Sequence, residues 1–273
     1  MRECWPIALV LPLLAACQQN DAPPAVPKGD SSPVAAATAT PSQAPQVPVG
    51  GARSVEEETE LYNFDYTYPA QAGAIPALKA ILDGDVVEQR TALASQARES
   101  RDEAKKSGFD FQPHDRSVGW QVVADLPAWL SLSATSGGFS GGAHPYHGFD
   151  AMVWDKAANQ RRKASDLFQS PAALSKAIRA PFCREIDKQR AERRGEPVKR
   201  DSDDPFSECI DPMESIVILG SSNKRTFDRM GILVAPYEAG PYVEGDYEVT
   251  LPVTQAVLAA VRPEYRSAFS LKR

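Results

Sequence analysis

From Leu61 the chain alternates. Tyr62, Phe64, Tyr66 and Tyr68 fall on one side and Asn63, Asp65 and Thr67 on the other, until Pro69. A period of two with aromatic residues on one face predicts a half-buried strand within residues 56–68, ended by the proline. The spacing then lengthens. Ile75, Leu78, Ile81, Leu82, Val86, Leu93, Ala94 and Ala97 recur at helical intervals, and Gly84 interrupts them. That predicts two helices, or one bent helix, ending near Ser107-Gly108. The other face of this stretch mixes both signs of charge, as a solvated helix face does. From Val118 the alternation returns over residues 118–124, 128–135 and 146–154. These read as three strands of an antiparallel meander, followed by a turn at residues 155–160 and a short edge strand from Arg161. Residues 171–194 are helical again, with Leu174, Ile178, Phe182 and Ile186 on one face and a basic end that suits the helix dipole. After a polar insertion at residues 195–212, strands are expected at 214–219, at 226–228 continuing into 231–235, and at 246–251. Pro252 is expected to open a last helix running through Val261. The order strand, helix, meander, helix, strands, helix predicts an α+β fold of mostly antiparallel sheets with packed helices. We divide it into two intimately linked subdomains, residues 55–157 and 158–273.

The first 54 residues do not fit this pattern. Residues 5–16 read WPIALVLPLLAA, an apolar run of signal-peptide length and too short to span a membrane as a helix. It ends Leu14-Ala15-Ala16-Cys17, similar to the lipobox of bacterial lipoproteins. The expectation is a signal peptide at residues 1–16, cleavage before Cys17 and lipidation of that cysteine. Acyl chains at about 0.8 kcal/mol per buried CH₂ make such an anchor effectively permanent. Gln18 follows the cysteine, a pattern that resembles sorting to the periplasmic face of the outer membrane. Residues 18–54 are rich in Pro, Ala, Ser, Thr and Gln with almost no large apolar side chains, the composition of a disordered tether. Cys4 leaves with the signal, so Cys183 and Cys209 remain as the free thiols of a protein in an oxidising compartment. One disulfide is expected between them. The formal net charge is -6, which excludes general nucleic-acid binding and favours basic partners modestly.

The densest cluster of candidate chemistry is SGGFSGGAHPYHGFD at residues 136–150. It lies between two expected strands and reads as either a long, bulged and exposed loop or a site where the backbone must approach something closely. Gly138-Phe139-Ser140-Gly141-Gly142 matches G-x-S-x-G, but a hydrolase elbow needs a helix after the serine and a histidine far downstream. Here a strand follows, and no histidine lies beyond His147. A trypsin-like site needs His and Asp upstream in a nearly all-β chain; only His114 precedes. His144, His147 and Asp150 form a candidate metal set. On a strand, positions 144 and 147 face opposite ways, so a bend at Pro145 would be needed. Ser140, His144, His147 and Asp150 therefore stand as the candidates for a hydrolase or metal-dependent enzyme. The preferred reading is that the glycines shape a binding loop on a scaffold. No cofactor or metal is expected.

The ordered set of Gly141-Gly142-Ala143-His144-Pro145, Ser165-Asp166-Leu167-Phe168, the run from Gly231 to Tyr242, Gly245, and Leu251-Pro252 resembles the C-terminal half of the ectodomain of RsiV-type lysozyme-sensing anti-sigma factors. Residues 56–154 resemble the companion domain found there and beside the catalytic domain of PdaC peptidoglycan deacetylases. The resemblance implies a compact α+β unit outside the membrane, without established catalysis of its own and binding lysozyme in the RsiV case. Neither a cytoplasmic sigma-binding segment nor a deacetylase domain is read in this chain, so what carries over is a recognition surface. The expectation is a non-enzymatic cell-envelope lipoprotein whose partners are the membrane, through its lipid, and a lysozyme-like protein or peptidoglycan. The expected binding residues are Gly141, Gly142, His144 and Tyr146 on one loop and Tyr237 and Tyr242 on another.

Overall fold

The computed structural model describes residues 51–200 and 204–272. The expected signal peptide, Cys17 and all but the last residues of the expected tether lie outside the described residues. Alternation makes the first two strands. In β2 (Tyr62–Tyr68) the four aromatic side chains are buried, and β1 (Arg53–Glu58) pairs with it antiparallel. β1 starts two residues before the expected boundary at 55. After a short turn of helix, α1 (Ala70–Gly73), comes α2 (Pro76–Ser107). It is one continuous helix, where the sequence predicts a break or bend at Gly84. A single interior glycine costs about 1 kcal/mol. Leu82 and Val86 on either side of it are almost wholly buried, and that burial outweighs the cost. Gly108 ends the helix in the left-handed region (φ 73°), its N–H donating to the carbonyl of Ala104.

α2 is a crossover. β3 (His114–Asp125) runs parallel to β2, and β4 (Trp129–Phe139), β5 (Tyr146–Asp155) and β6 (Gln160–Arg162) follow antiparallel in a six-stranded sheet of order β1-β2-β3-β4-β5-β6. The meander is as expected, and the parallel pair is the exception within a mostly antiparallel α+β fold. Register places Tyr66, Val118, Ser136 and Gly148 across one face, with Trp120, Ala134 and Asp150 beside them. Leu78, Leu82, Val86, Leu93 and Ala97 of α2 pack on this face with Phe64, Tyr66, Trp120, Leu132 and Met152.

The second half carries α3 (Pro171–Arg194), with the predicted Leu174, Ile178, Phe182 and Ile186 all buried. Ser170 caps its start, accepting from the Ala173 N–H, and Gly195 closes it at φ 73°. Cys183 and Cys209 are disulfide-bonded, Cα–Cα 5.5 Å, which ties the polar insertion to α3. β7 (Ile216–Gly220), β8 (Arg229–Val234) and β9 (Tyr247–Pro252) form an antiparallel sheet. Residues 226–228 lie outside β8 because Asn223 and Ser221 fold the preceding loop through backbone N–H groups of Lys224, Arg225 and Thr226. The last helix, α4 (Gln255–Ala260), does not start at Pro252, which is the final residue of β9. Thr254 supplies the cap oxygen for the Val257 N–H, so the helix begins there. A 3₁₀ turn at Pro263–Ala268, not foreseen, follows.

The three-stranded sheet packs on the face of the six-stranded sheet opposite α2, and α3 covers it from outside. A bulge between Val122 and Ala124 turns Ala124 to that side. There Ala124, Trp129 and Val153 join Phe168, Phe182, Phe227 and Met230 in a second core drawn from both halves. The Trp129 ring meets Tyr265 edge-on at 5.8 Å.

Candidate functional site

Pairing of β4 with β5 extends to Gly138 opposite Tyr146. Gly137 and Gly138 are thus strand residues, and the expected long loop shrinks to residues 140–145. Glycine is required at 138 because a Cβ there would lie 2.2 Å from the Asp115 carbonyl oxygen and 2.8 Å from the Tyr146 ring. Gly141 and Gly142, at φ 100° and 101°, turn the chain where other residues would be strained.

The loop delivers His144 to the β8–β9 connection. Its Nε2 lies 2.8 Å from the Tyr237 hydroxyl and its Nδ1 3.0 Å from the Pro145 carbonyl. A carbonyl only accepts, so Nδ1 carries the proton, and in the neutral ring Nε2 accepts from Tyr237. The imidazole also stacks on Tyr242 with centroids 3.7 Å apart and planes at 16°. Tyr237 and Tyr242 lie 5.8 Å apart. Three of the sequence-predicted binding residues, from positions far apart in the chain, therefore form one aromatic ridge. Tyr237 is 54% exposed and Val243, beside Tyr242, 89%.

The ridge is braced from below by residues the sequence reading passed over. The Tyr237 turn closes through its N–H to the Gly240 carbonyl (3.1 Å) and holds Tyr237 at φ 72°, a left-handed conformation rare for a bulky side chain. Arg190, fully buried on α3, donates from Nε to the Ala239 carbonyl (2.8 Å) and from Nη1 to the Glu208 carbonyl (2.9 Å). Ser215 donates to Glu238 at 2.7 Å. After Tyr242, Glu244 accepts from Arg194 at 2.8 and 3.1 Å and from the Tyr247 hydroxyl. Burial works against ionisation of Glu244, but these donors outweigh it and hold its carboxyl below the ordinary range. Burial, aided by the hydrogen bond to Glu244, pushes the Tyr247 hydroxyl up to about 12.

Tyr146, also predicted as a binding residue, turns away from the ridge to the α2 face of the sheet, where the Arg116 guanidinium lies 5.4 Å over its ring. The catalytic candidates do not converge. Ser140 is exposed and has no hydrogen bond to a histidine among the described residues. His147 packs edge-on against Phe149 at 5.0 Å, with its Nε2 buried and unpaired. Asp150, three residues on and so on the opposite face of β5, accepts from the Ala151 N–H at 2.7 Å and lies 3.6 Å from Arg161. Among the described residues no group of three His, Cys, Asp or Glu is placed to hold a metal ion, and no helix is long and apolar enough to cross a membrane.

No curated protein matches. Among the solved structures that resemble the chain are two DUF3298 family proteins. One is a DUF3298 family member from Bacteroides fragilis NCTC 9343, 13% identical over 74% of this chain and 89% of that one, with a TM-score of 0.43. The other is a DUF3298 family protein from Pseudomonas aeruginosa PAO1, 16% identical over 81% and 97%, with a TM-score of 0.46. Residues 55–147, from β1 to the start of β5, match the family model described as Deacetylase PdaC, so this stretch is similar to a PdaC-type domain.

Proposed function

We propose that this chain is a non-enzymatic recognition module of the bacterial cell envelope, and that the ridge of His144, Tyr237 and Tyr242 docks a lysozyme-like enzyme. The observation that carries the reading is the ridge itself. Two loops from opposite halves meet in a stacked, hydrogen-bonded aromatic cluster, exposed on top and anchored beneath by a buried arginine. Tyrosines of this kind supply large contact area at low entropic cost and dominate protein interfaces. A braced, partly exposed aromatic surface suits a folded protein partner. The net charge of -6 favours a basic one, as steering by opposite charge requires. The resemblance to RsiV-type ectodomains points to the same class of partner. The PdaC-type match concerns a family named for a deacetylase. In our reading the stretch here is the companion domain of such enzymes, with peptidoglycan as a further ligand. The hydrolase alternative draws no support from the geometry, because His144 is engaged by Tyr237 and Tyr242 and not by Ser140.

We further propose anchorage through a lipid on Cys17 at the periplasmic face of the outer membrane, with a tether below the folded part. Mass spectrometry of the mature amino terminus tests this, and release of a Cys17→Ser variant into the soluble fraction is the expected result. The docking claim is tested by surface plasmon resonance against a panel of lysozymes. At least one is expected to bind, and a Tyr237→Ala/Tyr242→Ala double variant is expected to lose binding at least tenfold. No binding to any lysozyme or to sacculi sinks it.

A further inference from the structure

A second feature lies at the other end of the small sheet. β8 runs from Arg229, next to the loop of residues 221–228, to Val234, next to the ridge turn. Six strand residues at about 3.3 Å each put roughly 20 Å between the two. A cavity of about 790 Å³ opens between the 221–228 loop and the C-terminal segment, with Ser222, Arg225, Thr226, Ser270, Leu271 and Lys272 in its walls. Both walls are pinned. Asn223 accepts from the Arg225 and Thr226 N–H groups, and its amide donates across to Ser270 at 3.3 Å. The Thr226 and Ser270 hydroxyls lie 2.7 Å apart, and the Ser270 N–H donates to the Phe227 carbonyl at 3.0 Å. Lys224, in the same turn, is held at φ 57°.

Lys224, Arg225 and Lys272 are exposed, and among the described residues none of the three forms an ion pair. The one acid in the walls is Asp228. It is buried and accepts from the Ser222 N–H at 2.7 Å, the Ser222 hydroxyl and the Asn223 amide at 3.2 Å, so its oxygens are engaged within the fold. Three cations around a hydroxyl-lined hollow are thus left without an internal partner, in a chain of net charge -6. Fixed walls with unpaired cations and free hydroxyls suit a phosphate, whose oxygens accept from both. Strand register says which way the hollow faces. Arg53, the first residue of β1, pairs with Tyr68, and β3 continues in the same direction to Asp125, which pairs with Leu130 at the start of β4. Trp129 there meets the Phe227 ring at 6.3 Å. The β4–β5 turn and the ridge lie at the opposite end. The chain therefore enters the fold towards the end that holds the cavity, from the side of the proposed lipid anchor.

We propose that the cavity and its rim dock on anionic phospholipid headgroups, which turns the ridge away from the membrane. Lys224, Arg225 and Lys272 meet the phosphates, and Leu271, 39% exposed between Ser270 and Lys272, suits the apolar boundary beneath them. A lipid chain joined by a basic patch holds a protein at a bilayer more firmly than either alone. The choice of occupant rests on the proposed anchorage, and the test omits the lipid so that the two can fail separately. The full chain carrying Cys17→Ser is sedimented with vesicles of phosphatidylcholine, alone or mixed with phosphatidylglycerol. Binding to the mixed vesicles is expected to be at least fivefold tighter. Adding Arg225→Glu and Lys272→Glu should weaken it at least tenfold with the melting temperature unchanged, since both side chains are exposed and unpaired. Arg98→Glu with Lys105→Glu, an equal change of charge on α2, should leave it within twofold, and so should Tyr237→Ala with Tyr242→Ala at the ridge. Equal binding to both kinds of vesicle, or to neither, overturns the proposal. So does an equal loss in the α2 variant, or displacement by millimolar inorganic phosphate at constant ionic strength, which would mark a small-anion site.

Discussion

Tyr237 gives a test in which two ordinary substitutions should reverse their usual order. At φ 72° it occupies backbone space that costs an L-residue about 1–2 kcal/mol relative to glycine. Its visible return is one hydrogen bond from its hydroxyl to His144 Nε2 and ring contacts at 5.7 and 5.8 Å, on a side chain more than half exposed. A partly exposed hydrogen bond contributes about 0.5–1.5 kcal/mol at most. Tyr237→Ala loses that contact and keeps the strain, so it should destabilise by about 1 kcal/mol. Tyr237→Gly loses the same contact and sheds the strain, so it should come out near wild type. Elsewhere glycine is less stable than alanine by about 0.5–1 kcal/mol. In a folded part of about 220 residues, 1 kcal/mol is about 2–4 °C in melting temperature. The glycine variant should therefore melt about 1–4 °C above the alanine variant by calorimetry or circular dichroism, while both lose the proposed partner equally. If alanine melts at or above glycine, the strain argument fails. The claim that the fold pays to display this ring, and does not merely tolerate it, fails with it.

Replacing both Cys183 and Cys209 by serine should cost about 3.5 kcal/mol on the chain-entropy account for a loop of this length, read as a drop of about 7–14 °C in melting temperature. Arg190→Met removes a fully buried guanidinium that satisfies the Ala239 and Glu208 carbonyls. Its expected cost is about 3–5 kcal/mol in urea unfolding, with faster proteolysis at residues 235–245. Burial lowers the pKa of His114 below its ordinary 6.5. Below that pH the unfolded chain binds the extra proton, so stability should fall as pH drops from 7 towards 5.5. His114→Phe should flatten that slope, and an unchanged slope would clear His114 of the effect.

Much of the local structure was legible because burial and period agree. Leu174, Ile178, Phe182 and Ile186 are spaced as one helix stripe and are all buried. The β2 aromatics behave the same way. Legibility failed where the decisive partner is remote. Nothing near Tyr62–Tyr68 announces a parallel neighbour fifty residues on. Ser131 and Ser133 alternate with Leu130 and Leu132, which reads as a strand with one wet face; both serines are buried, because a second sheet covers that side. Gly137 and Gly138 read as turn residues, yet they belong to β4, and the need for glycine at 138 comes first from the Asp115 carbonyl on β3 and then from the Tyr146 ring on β5. His144, Tyr237 and Tyr242 could be picked out as binding-loop residues by type. That His144 touches both tyrosines follows only from packing. Arg190 gave no signal at all, since an arginine near a basic helix end reads as dipole compensation.

The ridge traces to how the two faces of one sheet are covered. On the far face, β7–β9 stack against β3, β4 and β5. Small side chains at Ser131 and Ser133 let the layers approach, and the stacking brings the β8–β9 connection to the end of the sheet where β4 turns into β5. Two loops held at one end by separate rigid layers must either repel or mate, and the His144–Tyr237–Tyr242 cluster is the mated solution. On the near face the cover is a single helix. A parallel crossover from β2 to β3 places α2 over the sheet, where Leu132, Ala134, Met152 and Trp154 of β4 and β5 are buried with it in one core. Charged and hydrogen-bonded side chains, among them Asp85, Arg116 and Asp150, stand at the rim of that core, Asp85 accepting from the Tyr66 hydroxyl and Asp150 lying beside Arg161.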